Sequence, residues 1–275
     1  MAILTPEHFR RFTEFGVSGM GAKIREICEC EDGRYDGCTF EEKVKMAIEA
    51  EVEKRESTKL GRLVGRAGFR DPGACVEEII YLEGRSLSRD RILRLADCTW
   101  VGDHRNVLIV AASGGGKSYL AQALGVAACR KGCDVLYTRL SDMLVNLELA
   151  RARGTVSLHE ETARYQDVEL LILDDFLLTP ITVADSALLV DLMAGREGRT
   201  ATIIASQIEP EQWYMRIKGE VMAEHALGRL VHGSIKIVIK GPDMRKHLAA
   251  SLSSSSSKKY PRSYSSVSSS SSSAP

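Results

Sequence analysis

Apolar residues follow two different periods along this chain. From residue 106 to about 240 they gather in short unbroken runs, Val107-Leu108-Ile109-Val110, Val135-Leu136-Tyr137, Leu170-Leu171-Ile172-Leu173 and Ile203-Ile204-Ala205. Runs without polar alternation are strands buried on both faces, the mark of a parallel sheet covered by helices. Strands are predicted at 106–111, 134–138, 169–174, 201–206 and 235–239, with helices between them, which spells an α/β architecture: a parallel sheet flanked by helices. Gly132 fits a helix C-cap ahead of the second strand.

Upstream of this core the pattern is helical throughout. Thr39 and Glu42 in Thr39-Phe40-Glu41-Glu42 fit a capping box that opens one long helix over Glu41 to Arg66. Leu60, Leu63, Val64 and Ala67 line one face of it, and Arg55, Lys59, Arg62 and Arg66, at spacings of four, three and four, line another. Residues 53–70 hold six basic side chains against two acidic ones, Glu53 and Glu56. Two readings stay open for this stripe: a helix that tracks nucleic-acid phosphates, or a solvated face with intrahelical ion pairs. The chain divides into an all-helical N-terminal domain (1–70), a connector (71–105) opened by the turn Asp71-Pro72-Gly73, the α/β domain (106–248), and a tail (249–275). Fifteen of the last 25 residues are serine, too polar and simple to bury a core, so disorder is expected there.

Composition narrows the class only a little. A chain of 275 residues with 44% hydrophobic and 27% charged side chains buries a sizeable core in one large or two modest domains. No apolar run approaches the roughly 18 residues that span a bilayer, and Met1 to His8 lacks a signal-peptide pattern, so no membrane role and a cytoplasmic location are expected. The formal net charge of zero argues against wholesale attraction to nucleic acid, leaving local patches to decide. Seven cysteines form no disulfide framework, and Cys28, Cys30 and Cys38 lack the partner pair that a zinc site needs.

The chemistry gathers at two strand ends. After the first strand the chain reads Ala111-Ala112-Ser113-Gly114-Gly115-Gly116-Lys117-Ser118 and enters a helix. A glycine-rich turn directs backbone N–H groups at phosphates, the helix adds its positive end, Lys117 reaches the β- and γ-phosphates, and the Ser118 hydroxyl ligates Mg²⁺. ATP with Mg²⁺ is the expected occupant. The strict motif has glycine where Ala111 stands, which is expected to alter the first bend slightly. At the end of the third strand come Asp174 and Asp175, the first placed to hold the Mg²⁺ shell and the second to orient the attacking water. The plain alternatives are a ligand-free turn and a surface Asp-Asp turn. Arg85, Arg89, Arg91, Arg94 and Trp100 lie in the connector, which packs either over a nucleotide base or, for Trp100, into the core.

Taken with Ile203-Ile204-Ala205-Ser206-Gln207, Trp213 and Gly228-Arg229-Leu230-Val231-His232, these motifs resemble the IstB-like ATPases, transposition helpers related to DnaC-type helicase loaders within the AAA+ group. Phe40-Glu41-Glu42, Arg66-Ala67-Gly68, Asp71-Pro72-Gly73-Ala74 and Cys98-Thr99-Trp100 resemble that family as well, so the likeness runs from about residue 15 to about 248. The resemblance implies a P-loop AAA+ fold and an ATPase that assembles as a homo-oligomer on double-stranded DNA and recruits or activates a transposase. It tips the stripe Arg55, Lys59, Arg62 and Arg66 toward DNA. It also implies that Gln207 positions the lytic water, with Ser206 as a strand-end cap, and that Arg229 is an arginine finger acting in a neighbouring subunit. Arg245 is a further candidate for phosphate or DNA contact. Asp175 stands where many AAA+ members carry Glu, and Gly228 where the family often has Asp. A loader for a replicative helicase, a P-loop small-molecule kinase and a nucleotide-binding scaffold that never turns over are the alternative readings.

Overall fold

The computed structural model describes residues 4–218, 224, 227–228 and 230–256. Three helices open the chain, α1 (Pro6–Glu14), α2 (Ser18–Glu29) and α3 (Phe40–Ala67). The capping box forms as expected: Glu42 N–H donates to Thr39 Oγ1 at 3.3 Å and Thr39 N–H donates to Glu42 Oε2 at 2.7 Å. The helix ends at Gly68, whose left-handed φ of 74° suits glycine.

The two halves of α3 do different work. In the first half Glu51 is only 7% exposed. Its Oε2 accepts the N–H groups of Gly19 (2.8 Å) and Met20 (3.2 Å) in the first turn of α2, and its Oε1 accepts Arg55 Nε at 2.7 Å. A carboxylate is thereby set at the positive end of α2, satisfying two donors that a helix start leaves open. In the second half Leu63 and Ala67 join the apolar layer that covers the sheet. The helix expected to belong to a separate N-terminal domain is therefore built into the α/β core at its C-terminal end.

The sheet has five parallel strands, β1 (Val107–Ala111), β2 (Val135–Arg139), β3 (Leu170–Asp174), β4 (Ala201–Ser206) and β5 (Ile235–Ile239), in the order β2-β3-β4-β1-β5. Each predicted strand is present within one residue. The starts shift because the preceding side chains staple the sheet's lower edge: Asn106 Oδ1 accepts Thr202 N–H at 3.0 Å, and Glu169 Oε2 accepts Asp134 N–H at 2.6 Å.

Alternate residues of each strand serve opposite layers. Val107, Ile109, Tyr137 and Ile172 meet α6 (Lys117–Arg130), the end of α3, α4 (Arg89–Ala96) and α5 (Thr99–Gly102). Leu108, Leu136, Leu171 and Leu173 meet α7 (Leu140–Arg153), α8 (Thr155–Asp167), α9 (Val183–Arg196) and Trp213 at the end of α10 (Pro210–Trp213). A fully buried Leu or Ile is worth ~1.5–3 kcal/mol. An exposed pair such as Arg10 with Glu14 is worth ~0–1 kcal/mol, so these two layers set the fold and the surface ion pairs do not. Trp100 belongs to the core, its Nε1 donating to Leu95 O at 2.8 Å. All seven cysteines are free thiols. The last helix, α11 (Met244–Ser256), runs past residue 248, where the tail was expected to begin; residues 257–275 lie outside the described residues.

Glu51 gives the first test. Its Arg55 partner, followed by the two backbone N–H bonds, holds the carboxyl below its ordinary range against the opposing cost of burial. A depressed folded-state pKa contributes stability that is present above the ordinary carboxylate range and is lost as pH falls through the depressed value. Glu51→Ala is expected to expose the Gly19 and Met20 amides to fast hydrogen exchange at neutral pH and to remove that part of the acid-side loss. Wild-type protection of both amides in the variant would contradict the assignment.

Candidate nucleotide site

β1 and β3 deliver their ends to the same edge of the sheet, and the site forms there. Ala111 is the last strand residue and its methyl is buried in the core. The expected distortion of the first bend does not occur, because positive φ in this loop falls only on Gly114 (77°) and Gly116 (89°). A Cβ at Gly114 would collide with the Asp243 carboxylate, and one at Gly116 would lie 2.7 Å from Arg85 Nη2. Gly116 is the N-cap of α6 and has no side chain to satisfy the helix's first N–H groups, so an anion can take them. Ala112 and Ser113 form the exposed side of the turn.

Lys117 is 6% exposed, and its Nζ lies 3.6 Å from Asp175 Oδ1. Arg139, the last residue of β2, brings Nε to 3.4 Å from Asp175 Oδ2, and this Nε is buried without a hydrogen-bond partner. Two cations converge on one carboxylate and one of them keeps an unused donor, an arrangement suited to a further anion. Asp175 has φ 50°, a left-handed conformation in which Asp is several-fold enriched.

Asp174 is 2% exposed. Its Oδ2 accepts the Tyr137 hydroxyl at 2.8 Å and its Oδ1 accepts Asp175 N–H at 2.8 Å. Burial first, then the neighbouring Asp174 charge, push the Tyr137 phenol well above its ordinary range, so it stays a donor. Ser206 is committed to structure: its hydroxyl donates to Phe176 O at 2.9 Å and accepts Trp213 Nε1 at 3.1 Å. Gln207 faces the site instead.

Lys117, Asp175, Arg139 and Gln207 border one cavity of about 590 Å³, which Ser118 also lines; Asp174, 2% exposed, is not among its lining residues. Its lining includes the apolar Ile79, Ile80, Leu120 and Met244 and the polar Lys117, Asp175, Arg139 and Gln207. That volume and split suit a ligand with a flat apolar part and a polyanionic tail. Two arginines named from the sequence, Arg85 of the connector and the phosphate- or DNA-contact candidate Arg245, reach the glycine loop. Arg85 donates to Gly115 O at 2.9 Å and to Ile80 O at 2.6 Å, and Arg245 donates to Ser113 Oγ at 2.9 Å. Burial lowers the Arg85 pKa from its ordinary value. Arg229 lies outside the described residues.

The basic stripe of α3 is exposed along its length but not uniformly free. Arg55 is bonded to Glu51 and to Gly16 O (3.1 Å), and Arg66 lies 3.8 Å from Asp134 Oδ2. Among the described residues Lys59 and Arg62 are the members of the stripe with no ion pair or hydrogen bond, unlike Arg55 and Arg66. Among the described residues no cluster of His, Cys, Asp and Glu is arranged to hold a metal by itself, and no helix is long and apolar enough to cross a membrane.

A parallel five-stranded sheet with a glycine loop after its first strand and paired acids after its third defines a P-loop protein of the AAA+ class. Solved structures share the fold: a DNA replication initiation factor (TM-score 0.54, 20% identity, 66% of this chain and 55% of that one) and the DnaC helicase loader (0.50, 18%, 61% and 97%). AMPPCP-bound DnaA from Aquifex aeolicus gives 0.52 at 20% identity over 70% of this chain and 59% of that one. The family model of IstB-like ATP binding proteins matches residues 16–251, and the chain belongs to that family. Two insertion sequence ATP-binding proteins of Sinorhizobium fredii, y4uH and y4pL, are 33% and 32% identical to it, over 85% and 86% of this chain and 92% and 95% of their own.

Losing a charged hydrogen-bond partner to phosphate costs ~1.5–3 kcal/mol. Lys117→Ala is therefore expected to weaken ATP binding by about 10- to 100-fold, since each 1.4 kcal/mol is tenfold. Equilibrium titration with a fluorescent ATP analogue checks this, and unchanged affinity would contradict the site.

Proposed function

We propose that this protein is an ATP-dependent, DNA-binding AAA+ ATPase that assembles as a homo-oligomer on double-stranded DNA and recruits or activates the transposase of an insertion sequence. The observation that carries the reading is the meeting of Lys117, Arg139 and Asp175 at the mouth of the glycine loop, in a chain of the IstB-like family. Insertion-sequence relatives at full length favour a transposition helper over a helicase loader, whose likeness is one of fold.

The γ-phosphate of ATP competes with Asp175 for Lys117 and Arg139. Freed of those cations, the Asp175 carboxylate orients water for attack, and the Gln207 amide bridges that water and the phosphate. Ser118 and Asp174 supply hard oxygen donors for Mg²⁺, which neutralises charge on the phosphate oxygens when bound. Arg229 acts in trans as the finger that stabilises transition-state charge, a contribution of about 10³–10⁵ in rate. Hydrolysis therefore depends on assembly, and assembly on DNA. Lys59 and Arg62, the unengaged cations of the stripe, carry the phosphate contacts, and Arg55 and Arg66 hold the helix while adding charge.

Retention of a duplex DNA fragment is expected with ATP and Mg²⁺ and not without them; negligible retention in both conditions would overturn the reading. Charge removal refines it. Lys59→Ala and Arg62→Ala are each expected to lower the slope of log affinity against log salt by about 1, with little dependence on DNA sequence. An unchanged slope in the double variant would place the DNA elsewhere.

A further inference from the structure

Tyr137 of β2, which holds the Asp174 carboxylate, and Gln122 of α6, which holds the Ser118 backbone carbonyl, both meet one short segment of chain. Immediately after α3, Gly68 packs its backbone near Tyr137 O, and the Phe69 ring lies 6.4 Å from the Tyr137 ring. The Tyr137 hydroxyl then holds Asp174 Oδ2, while Asp175 N–H holds Oδ1, so neither carboxylate oxygen is free to turn. On the other side, Gln122, only 4% exposed in α6, accepts the next two N–H groups of that segment, Arg70 (2.8 Å) and Asp71 (2.9 Å). Its amide N–H donates to Ser118 O at 3.1 Å.

We infer that Tyr137 and Gln122 are positioning residues for the divalent cation, fixing Asp174 and the Ser118 turn and seating both against the segment that ends α3. The inference rests on the ATP and Mg²⁺ reading of the site and adds to it where the metal shell gets its rigidity. A carboxylate that is hydrogen-bonded at both oxygens presents its remaining lone pairs in one direction, and losing such an outer partner typically costs 10- to 100-fold in metal affinity. It also places the end of the basic helix two side chains, Phe69 and Tyr137, away from Asp174.

The test measures binding, with hydrolysis as a second readout. Tyr137→Phe keeps the ring against Phe69 and removes only the donor. Mn²⁺ affinity of the protein with ADP, read by electron paramagnetic resonance, is expected to fall about 10-fold. ATP affinity in EDTA is expected to stay at the wild-type value and raised metal concentration to restore hydrolysis, while the melting temperature is expected to fall because the buried Asp174 Oδ2 loses its partner. Gln122→Glu keeps the acceptor for Arg70 and Asp71 and loses the donor to Ser118 O, so a fall in Mn²⁺ affinity is expected there too. Phe69→Ala, outside the site, is expected to shift Mn²⁺ affinity in the same direction. Wild-type Mn²⁺ affinity in Tyr137→Phe and Gln122→Glu overturns the positioning roles, and wild-type affinity in Phe69→Ala overturns the link to α3. A wild-type protein that takes up no nucleotide overturns the ATPase reading instead.

Discussion

A sheet buried on both faces leaves its polar side chains only its edges. Every strand here runs the same way, so whatever polar residue ends β1, β2 or β3 arrives at one edge, facing the positive end of α6. Lys117, Arg139 and Asp175 meet there because apolar layers on either side give them nowhere else to go. The three-way contact is a consequence of topology, and it balances the charge of an otherwise strongly cationic cradle.

The same constraint explains which polar groups are structural. Ser206 ends β4 at that edge, yet its hydroxyl is taken by Phe176 O and the Trp213 indole, and Gln207, one residue on, reaches the cavity. Tyr137, although inside β2, is polar only at its tip, and that tip meets Asp174. Arg85 and Arg245 come from segments before and after the α/β units and close the glycine loop from both sides.

Helix α3 links this site to the rest of the molecule. Its first half holds α2 through Glu51, its middle is exposed, and its end enters the core beside Tyr137. A helix of 28 residues tied to α2 through Glu51 and to the core at its C-terminal end suits an element proposed to lie on DNA.

Local pattern was enough for the elements and for half of the site. Unbroken apolar runs marked the strands, Thr39 and Glu42 marked the start of α3, and the glycine loop with Lys117 and Ser118 announced a phosphate cradle, because each depends on neighbours within a few residues. Arg139, Tyr137, Gln122 and Arg85 carried no such mark. Each acquires its role from a partner 30 or more residues away: Arg139 through register with Asp174 across β2 and β3, Gln122 through the turn after α3, and Arg85 through a carbonyl of the loop. The amino-acid sequence by itself determined which segments would be strand or helix and where the glycine-rich turn falls, since hydrophobic period and backbone freedom are local properties. Strand order, the pairing of Asp175 with two cations and the joining of α3 to the metal acid were decided only by tertiary packing, because they are contacts between surfaces whose relative placement no single segment encodes.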